Sequence, residues 1–211
     1  PLTETLAAAL VLLSFWDKDR LLIDPMCGSG TILIEAAMIG RRMAPGLRRT
    51  FAAERWPVVG KAHWRAARGA AEAAVDRSGE LQLFGYDNDA EAIRIAGQNA
   101  ALAGVGADIS FAQKALADLW IDQEHGILIS NPPYGRRMAE FGEINALYIT
   151  LNKMMRKKLG WSVYILTADE KFPDYFKRGR PDRVRKLFNG NIRVDYYQYH
   201  GEKRRTDNAT E

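Results

Sequence analysis

The sequence has few of the residues that staple a fold or bind metal. It carries one cysteine, Cys27, in 211 residues. That excludes an internal disulfide framework and matches a reducing, cytoplasmic setting. His63, His125 and His200 are scattered without metal-ligand spacing, so no metal is expected. No apolar run reaches the about 18 residues of a membrane-spanning helix. The apolar opening from Leu6 to Trp16 is too short, and it lacks a basic leader or a small-residue cleavage site; no membrane association is expected. There is no Walker loop, because no Lys-Ser/Thr pair follows the glycines at 28 and 30. A dinucleotide fingerprint also fails, since Leu33 stands where its third glycine belongs. Internal repeats and low-complexity segments are missing as well.

Hydrophobic residues make up 47% and charged residues 27%, as in an ordinary soluble globular chain. The length suits one domain, taken as residues 1–201, followed by a polar tail or linker at 202–211. A net charge of +4 is too small to identify a polyanionic partner by itself. Its distribution is more informative. One basic run takes in Arg41, Arg42, Arg48, Arg49, Arg55, Lys61, Arg65 and Arg68. Another takes in Arg156, Lys157, Lys158, Lys177, Arg178, Arg180, Arg183, Arg185 and Lys186. Each run reads equally as a solvated helical face or as a nucleic-acid surface.

Strand-like and helix-like segments alternate. Strands are predicted at 21–23, 81–86, 109–112, 126–130, 161–167 and 193–200, and helices at 31–42, from Lys61 towards 77, at 90–103 and at 144–159. Gly104 is a plausible C-cap. This alternation argues for a mainly parallel α/β sheet with helices on both faces, whose ligands sit at the C-terminal strand ends. Three unusual loops fall at such ends.

The first loop is Asp24-Pro25-Met26-Cys27-Gly28-Ser29-Gly30-Thr31. Its glycines let backbone approach a ligand, and the amides at the helix start suit a carboxylate or phosphate. An acid just before the loop would repel a pyrophosphate but can serve a ligand with an amino group. In the second loop, Asp87 is placed to accept hydrogen bonds from ribose hydroxyls, while Asp89 is the better helix cap. The third loop is Asn131-Pro132-Pro133-Tyr134. An sp2 amine is a poor nucleophile because its lone pair is delocalised. The Asn131 side-chain oxygen and the Pro132 carbonyl could accept its two N–H groups and help it pyramidalise. Prolines stiffen such a loop, and Tyr134 offers a face on which a base can stack. Cys27 lies inside the first loop, where small size and burial explain it better than nucleophilic chemistry.

Asp24–Thr31 resembles motif I of the Rossmann-like class I S-adenosylmethionine-dependent methyltransferases, and Asn131–Tyr134 resembles their amino-methylating motif IV. The wording of both, with Gly135-Arg136-Arg137, Pro1–Ala7, Met43–Leu47 and Asn189-Gly190, is similar to the THUMP-associated (UPF0020-type) RNA methyltransferases. Within them it is most similar to bacterial large-subunit (23S) rRNA guanine-N2 enzymes. The resemblance implies S-adenosylmethionine as cofactor, ribosomal RNA as partner, and methyl transfer to an exocyclic guanine amine. Residue by residue it implies Thr3, Thr5, Asp24, Pro25, Cys27, Gly28, Ser29, Gly30, Asp87, Asn88, Ala115 and Asn131 around the cofactor. Asn131, Pro132, Pro133 and Tyr134 would hold the target base. Lys114-Ala115 stands where many relatives carry an adenine-contacting aspartate, leaving Asp118 or backbone to serve. The family's upstream THUMP region is not in this sequence, so a domain excised from a longer protein is expected. Motif IV is shared with enzymes acting on transfer RNA guanine, DNA adenine N6 and protein glutamine, so these remain alternatives, as does a non-catalytic RNA-binding module of the same fold. Oligomeric state is left open.

Overall fold

A computed structural model describes residues 2–133 and 138–202. The elements run α1 (Glu4–Leu12), β1 (Leu22–Asp24), α2 (Thr31–Gly40), α3 (Lys61–Ala73), β2 (Leu83–Asp87), α4 (Ala90–Ala103), β3 (Ile109–Gln113), β4 (His125–Ser130), α5 (Met138–Met155), β5 (Gly160–Thr167), α6 (Phe172–Phe176), β6 (Arg183–Asn189) and β7 (Ile192–Tyr199). The strands form one seven-stranded sheet in the order β3-β2-β1-β4-β5-β7-β6. Only β7 runs against its neighbours β5 and β6.

The central strands are continuous apolar runs because both of their faces are covered. Every β4 residue after His125 is buried, as is every β5 residue after Gly160. On one face, α1 and α2 pack Leu10, Val11, Leu33 and Ala37 against Leu22, Tyr164, Leu166 and Tyr196. On the other, Tyr148, Leu151 and Met155 of α5 and Phe172 and Phe176 of α6 cover Ile23, Leu128, Val163 and Ile165. The chain winds outward from β1 through β2 to β3, then returns to lay β4 along the other side of β1. The carboxyl ends of β1 and β4 therefore flank the switch point, where a doubly wound sheet opens a crevice.

Two expectations change, and the apolar opening, for which no element is predicted, gains one. The apolar opening holds a helix, α1, tied to the sheet because Tyr196 Oη donates to the Leu10 carbonyl at 2.9 Å. The second basic run does not form a helical face. Arg183, Arg185 and Lys186 lie on the edge strand β6, where cations guard an open sheet edge. Arg178 is turned inward and donates to the carbonyls of Met155, Lys158 and Trp161. The helix expected from 144 begins at Met138 and ends at Met155. The caps agree with the sequence reading: Asp89 accepts from Glu91 N at 2.8 Å, and Gly104 ends α4 at φ 81°.

Candidate active site

Asp24 is the last residue of β1, and Ser130, the last of β4, lies beside it across the switch point. Both are buried, and Ser130 Oγ donates to Asp24 Oδ1 at 2.7 Å. This bond ties the acid of the first loop to the residue just before Asn131. Burial pushes the Asp24 carboxyl up from 3.8 to about 7; the hydrogen bonds from Ser130 and Met26 N oppose the rise, and the nearby Asp87 charge adds to it. An acid held this way is poised to ionise when a cation arrives.

The chain then turns through the glycine loop. Cys27 N donates to the Tyr86 carbonyl at 2.9 Å, and Gly30 N to the Cys27 carbonyl at 2.8 Å. Gly28 has φ 51° and Gly30 φ 80°, left-handed values that favour glycine. The two glycines differ in their surroundings. A Cβ on Gly28 would meet nothing within 4 Å, whereas one on Gly30 would lie 2.9 Å from Phe111 Cζ and 3.1 Å from Ala96 Cβ. Gly28 thus opens onto space, and Gly30 lets α2 close against β3 and α4. Asp87, at the end of β2, accepts from Gly28 N through Oδ2 at 2.9 Å and from Asp89 N through Oδ1 at 3.1 Å. Asn99 of α4 donates to the Ser29 carbonyl at 3.1 Å.

These pieces enclose a cavity of about 150 Å³ lined by Leu2, Asp24, Met26, Cys27, Gly28, Ser29, Thr31, Ile32 and Asn131. Of the residues expected at the site, Asp24, Cys27, Gly28, Ser29 and Asn131 converge there. Pro25 and Gly30 are buried beside the cavity without lining it, and Asp87 touches it through Gly28. Thr3 and Thr5 stand exposed at the start of α1, with Leu2 in the place expected of them. Asn88 is exposed, and its carbonyl accepts from Gln113 Nε2. Ala115 caps the short turn Leu116–Asp118, in which Asp118 is exposed. Pro132 is buried and Pro133 exposed; Tyr134 lies outside the described residues, as do Gly135–Arg137 and 203–211. Burial, with the charges of Asp24 and Asp87, raises the Cys27 thiol well above its ordinary value, so it is no nucleophile at neutral pH. Sequence reasoning missed Ser130 and Asn99, which carry no motif and act only through the fold. Among the described residues, no group of three or more His, Cys, Asp or Glu could hold a metal ion, and no helix is long and apolar enough to cross a membrane.

A sheet of this order, with a glycine loop after its first strand and an acid ending its second, defines the Rossmann-like class I methyltransferase fold. Within that class the chain belongs to the UPF0020 family, the RMKL-like methyltransferase domain, whose profile matches residues 1–198. It is 42% identical over 213 residues to YpsC of Bacillus subtilis, provisionally named an RNA methyltransferase; the match takes in 99% of this chain and 55% of YpsC. It is 35% identical over 215 residues to the ribosomal RNA large subunit methyltransferase K/L of Shewanella frigidimarina, covering 98% of this chain and 30% of that protein. The crystal structure of SMU.472, provisionally named a methyltransferase and complexed with SAH, superposes with a TM-score of 0.92 at 40% identity, over 96% of this chain and 54% of that one. The chain therefore spans about half the length of YpsC and under a third of the K/L enzyme.

Proposed function

We propose that this domain methylates the exocyclic N2 amine of a guanine in large-subunit ribosomal RNA, with S-adenosylmethionine as donor. The observation that carries the reading is the meeting of Asp24 and Asn131 on one cavity at the switch point, their strand ends joined through Ser130. The kinship with the K/L enzymes, named as ribosomal RNA large subunit methyltransferases, supports the choice of RNA; guanine is the target that the sequence resemblance implies.

The site fits the donor in part. A cavity of about 150 Å³ is below the roughly 300–1,000 Å³ of pockets that bury a whole drug-sized ligand. It suits the methionine end, over Gly28, where a Cβ would fill the cradle. Asp24 would take the amino group. Asp87 uses two of the about four lone-pair sites of a carboxylate for Gly28 N and Asp89 N, leaving two for the vicinal ribose hydroxyls. Bound there, S-adenosylmethionine supplies an electrophilic methyl group on a sulfonium.

Asn131 Oδ1 would accept one amine N–H and the Pro132 carbonyl the other, drawing the nitrogen out of conjugation and aiming its lone pair at the methyl carbon. The target base must leave its stack, at a cost of a few kcal/mol, with Tyr134 as the face that receives it. No strong base is required, since the proton would become acidic as the nitrogen–carbon bond forms and the donor's carbon–sulfur bond breaks, and would pass to water; positioning supplies much of the rate. The test is nucleoside mass spectrometry after incubation with isotopically labelled donor, unmethylated ribosomal RNA and DNA. Labelled N2-methylguanosine is expected; label on DNA adenine instead would overturn the substrate and keep the chemistry.

A further inference from the structure

The reaction leaves the first basic run without a role. Between Arg41 and Arg77 the sequence holds nine basic and three acidic residues. Two of those acids are paired, Glu54 with Arg68 at 2.6 Å and Asp76 with Lys18 at 2.8 Å. The segment is rooted at the amino-terminal end of the sheet. Arg41 pairs with Asp108 just before β3, and Arg48 donates to the Leu102 carbonyl near the end of α4. From there it packs mainly on itself. Phe51 stacks on Trp64 with ring centroids 5.7 Å apart, and Arg68 clasps the carbonyls of Leu47 and Arg49. None of the α3 residues is buried.

This self-clasp leaves a surface of unusual composition. Arg49, Arg55, Lys61 and Arg65 are exposed, and among the described residues no side chain pairs with theirs. Beside Arg55, Trp56 is 59% exposed, and Val58 is 90% exposed. Lys61 and Arg65 are four apart on α3 and share a face. A surface shaped only by solubility mixes charges of both signs and hides its large aromatic rings. Cations without acids around an exposed indole are what a phosphate backbone and an unstacked base require.

We infer that this face, built from Arg49, Arg55, Trp56, Lys61 and Arg65, is a second RNA-binding surface that grips the substrate strand away from the reacting base. The inference rests on the proposed RNA substrate. The face is separated from the catalytic cleft by the ten-residue α2, about 15 Å of helix, so one strand held at both places must cross that length.

The test is fluorescence anisotropy of a labelled single-stranded RNA across a salt series, with three proteins. These are the unaltered chain, the variant Arg49→Ala/Arg55→Ala/Lys61→Ala/Arg65→Ala, and a charge-matched control, Lys153→Ala/Arg156→Ala/Lys157→Ala/Arg180→Ala. The first variant is expected to bind roughly tenfold or more weakly near physiological salt and to lose about three from the slope of log affinity against log salt. The control is expected to keep most of both. A separate Trp56→Ala protein is expected to lose roughly tenfold with the salt slope unchanged, as stacking requires. Equal losses in the patch variant and the control, or none in either, would overturn the inference, since net charge alone would then explain binding. Failure of the proposed reaction would appear elsewhere, as absent transfer by the unaltered chain to RNA; failure of this surface leaves that transfer intact and the patch variants indistinguishable from it.

Discussion

The two ends of α2 face opposite tasks. At its amino end, Asp24, Ser130, Gly28 and Asp87 are cross-bonded at 2.7 to 2.9 Å and largely removed from water. At its carboxyl end, the segment 41–77 is clasped by Arg68 and keeps most of its cations in solvent. Methyl transfer needs atoms held to a fraction of an ångström, so the first end is fixed by hydrogen bonds that still leave acceptor sites for a ligand. A phosphate backbone is a diffuse target met by long mobile side chains, so exposure suffices at the second. Within one helix length the chain separates preorganised chemistry from electrostatic capture.

The sharpest way to break this contrast is Asn131→Ala. Transfer is expected to fall on the order of 10²–10³-fold, while donor binding, followed by titration calorimetry, falls far less because Asn131 is one of nine residues lining that cavity. Equal loss of both would merge the roles assigned here to the two loops. Next comes Asp24→Asn. The folded-state carboxyl is raised from 3.8 to about 7, so its contribution to stability is fully present below pH 4 and is lost as pH rises towards 7, by roughly 4 kcal/mol in all. The asparagine variant lacks that loss. In denaturant melts its advantage over the parent should grow between pH 4 and 7 and then level off, while its donor affinity falls. A flat difference across that range would mean that the carboxyl titrates normally.

The glycines supply a finer division. Gly30→Ala must strain a left-handed φ and displace Phe111 and Ala96, so a stability loss of about 2–4 kcal/mol is expected in thermal melts. Gly28→Ala meets no atom; its stability cost should stay near about 1 kcal/mol, with the larger defect in donor binding. The smallest effect belongs to Arg68→Ala. Hydrogen exchange should quicken across Phe51–Val59 with little change in global melting, because that segment lies outside the main cores. A large global destabilisation would show that the segment is part of the core.

Much of this was legible in the residues. Continuous apolar runs at 126–130 and 161–167 announced central parallel strands, and turn chemistry marked the loops at their ends. Asp89 and Gly104 declared the bounds of α4 through local hydrogen bonding alone. What stayed hidden is non-local. The basic stretch at 183–186 is a strand only because β7 lies beside it. Arg178 is a structural clasp only because carbonyls from the end of α5, the turn after it and β5 meet there. Ser130 looks like any buried strand residue until β1 sets Asp24 next to it.

The sequence by itself determined the alternation of strands and helices between β1 and β5, the glycine-rich turn and the presence of the Asn131 amide, since each depends on backbone preferences and side-chain chemistry within a few neighbouring residues. Only the tertiary structure decided that Asp24 and Asn131 share a cavity and that Asp87 holds Gly28. It also decided which cations of the basic runs turn inward and which remain in water. Those outcomes depend on packing and desolvation between segments up to 106 residues apart, and no local pattern encodes them.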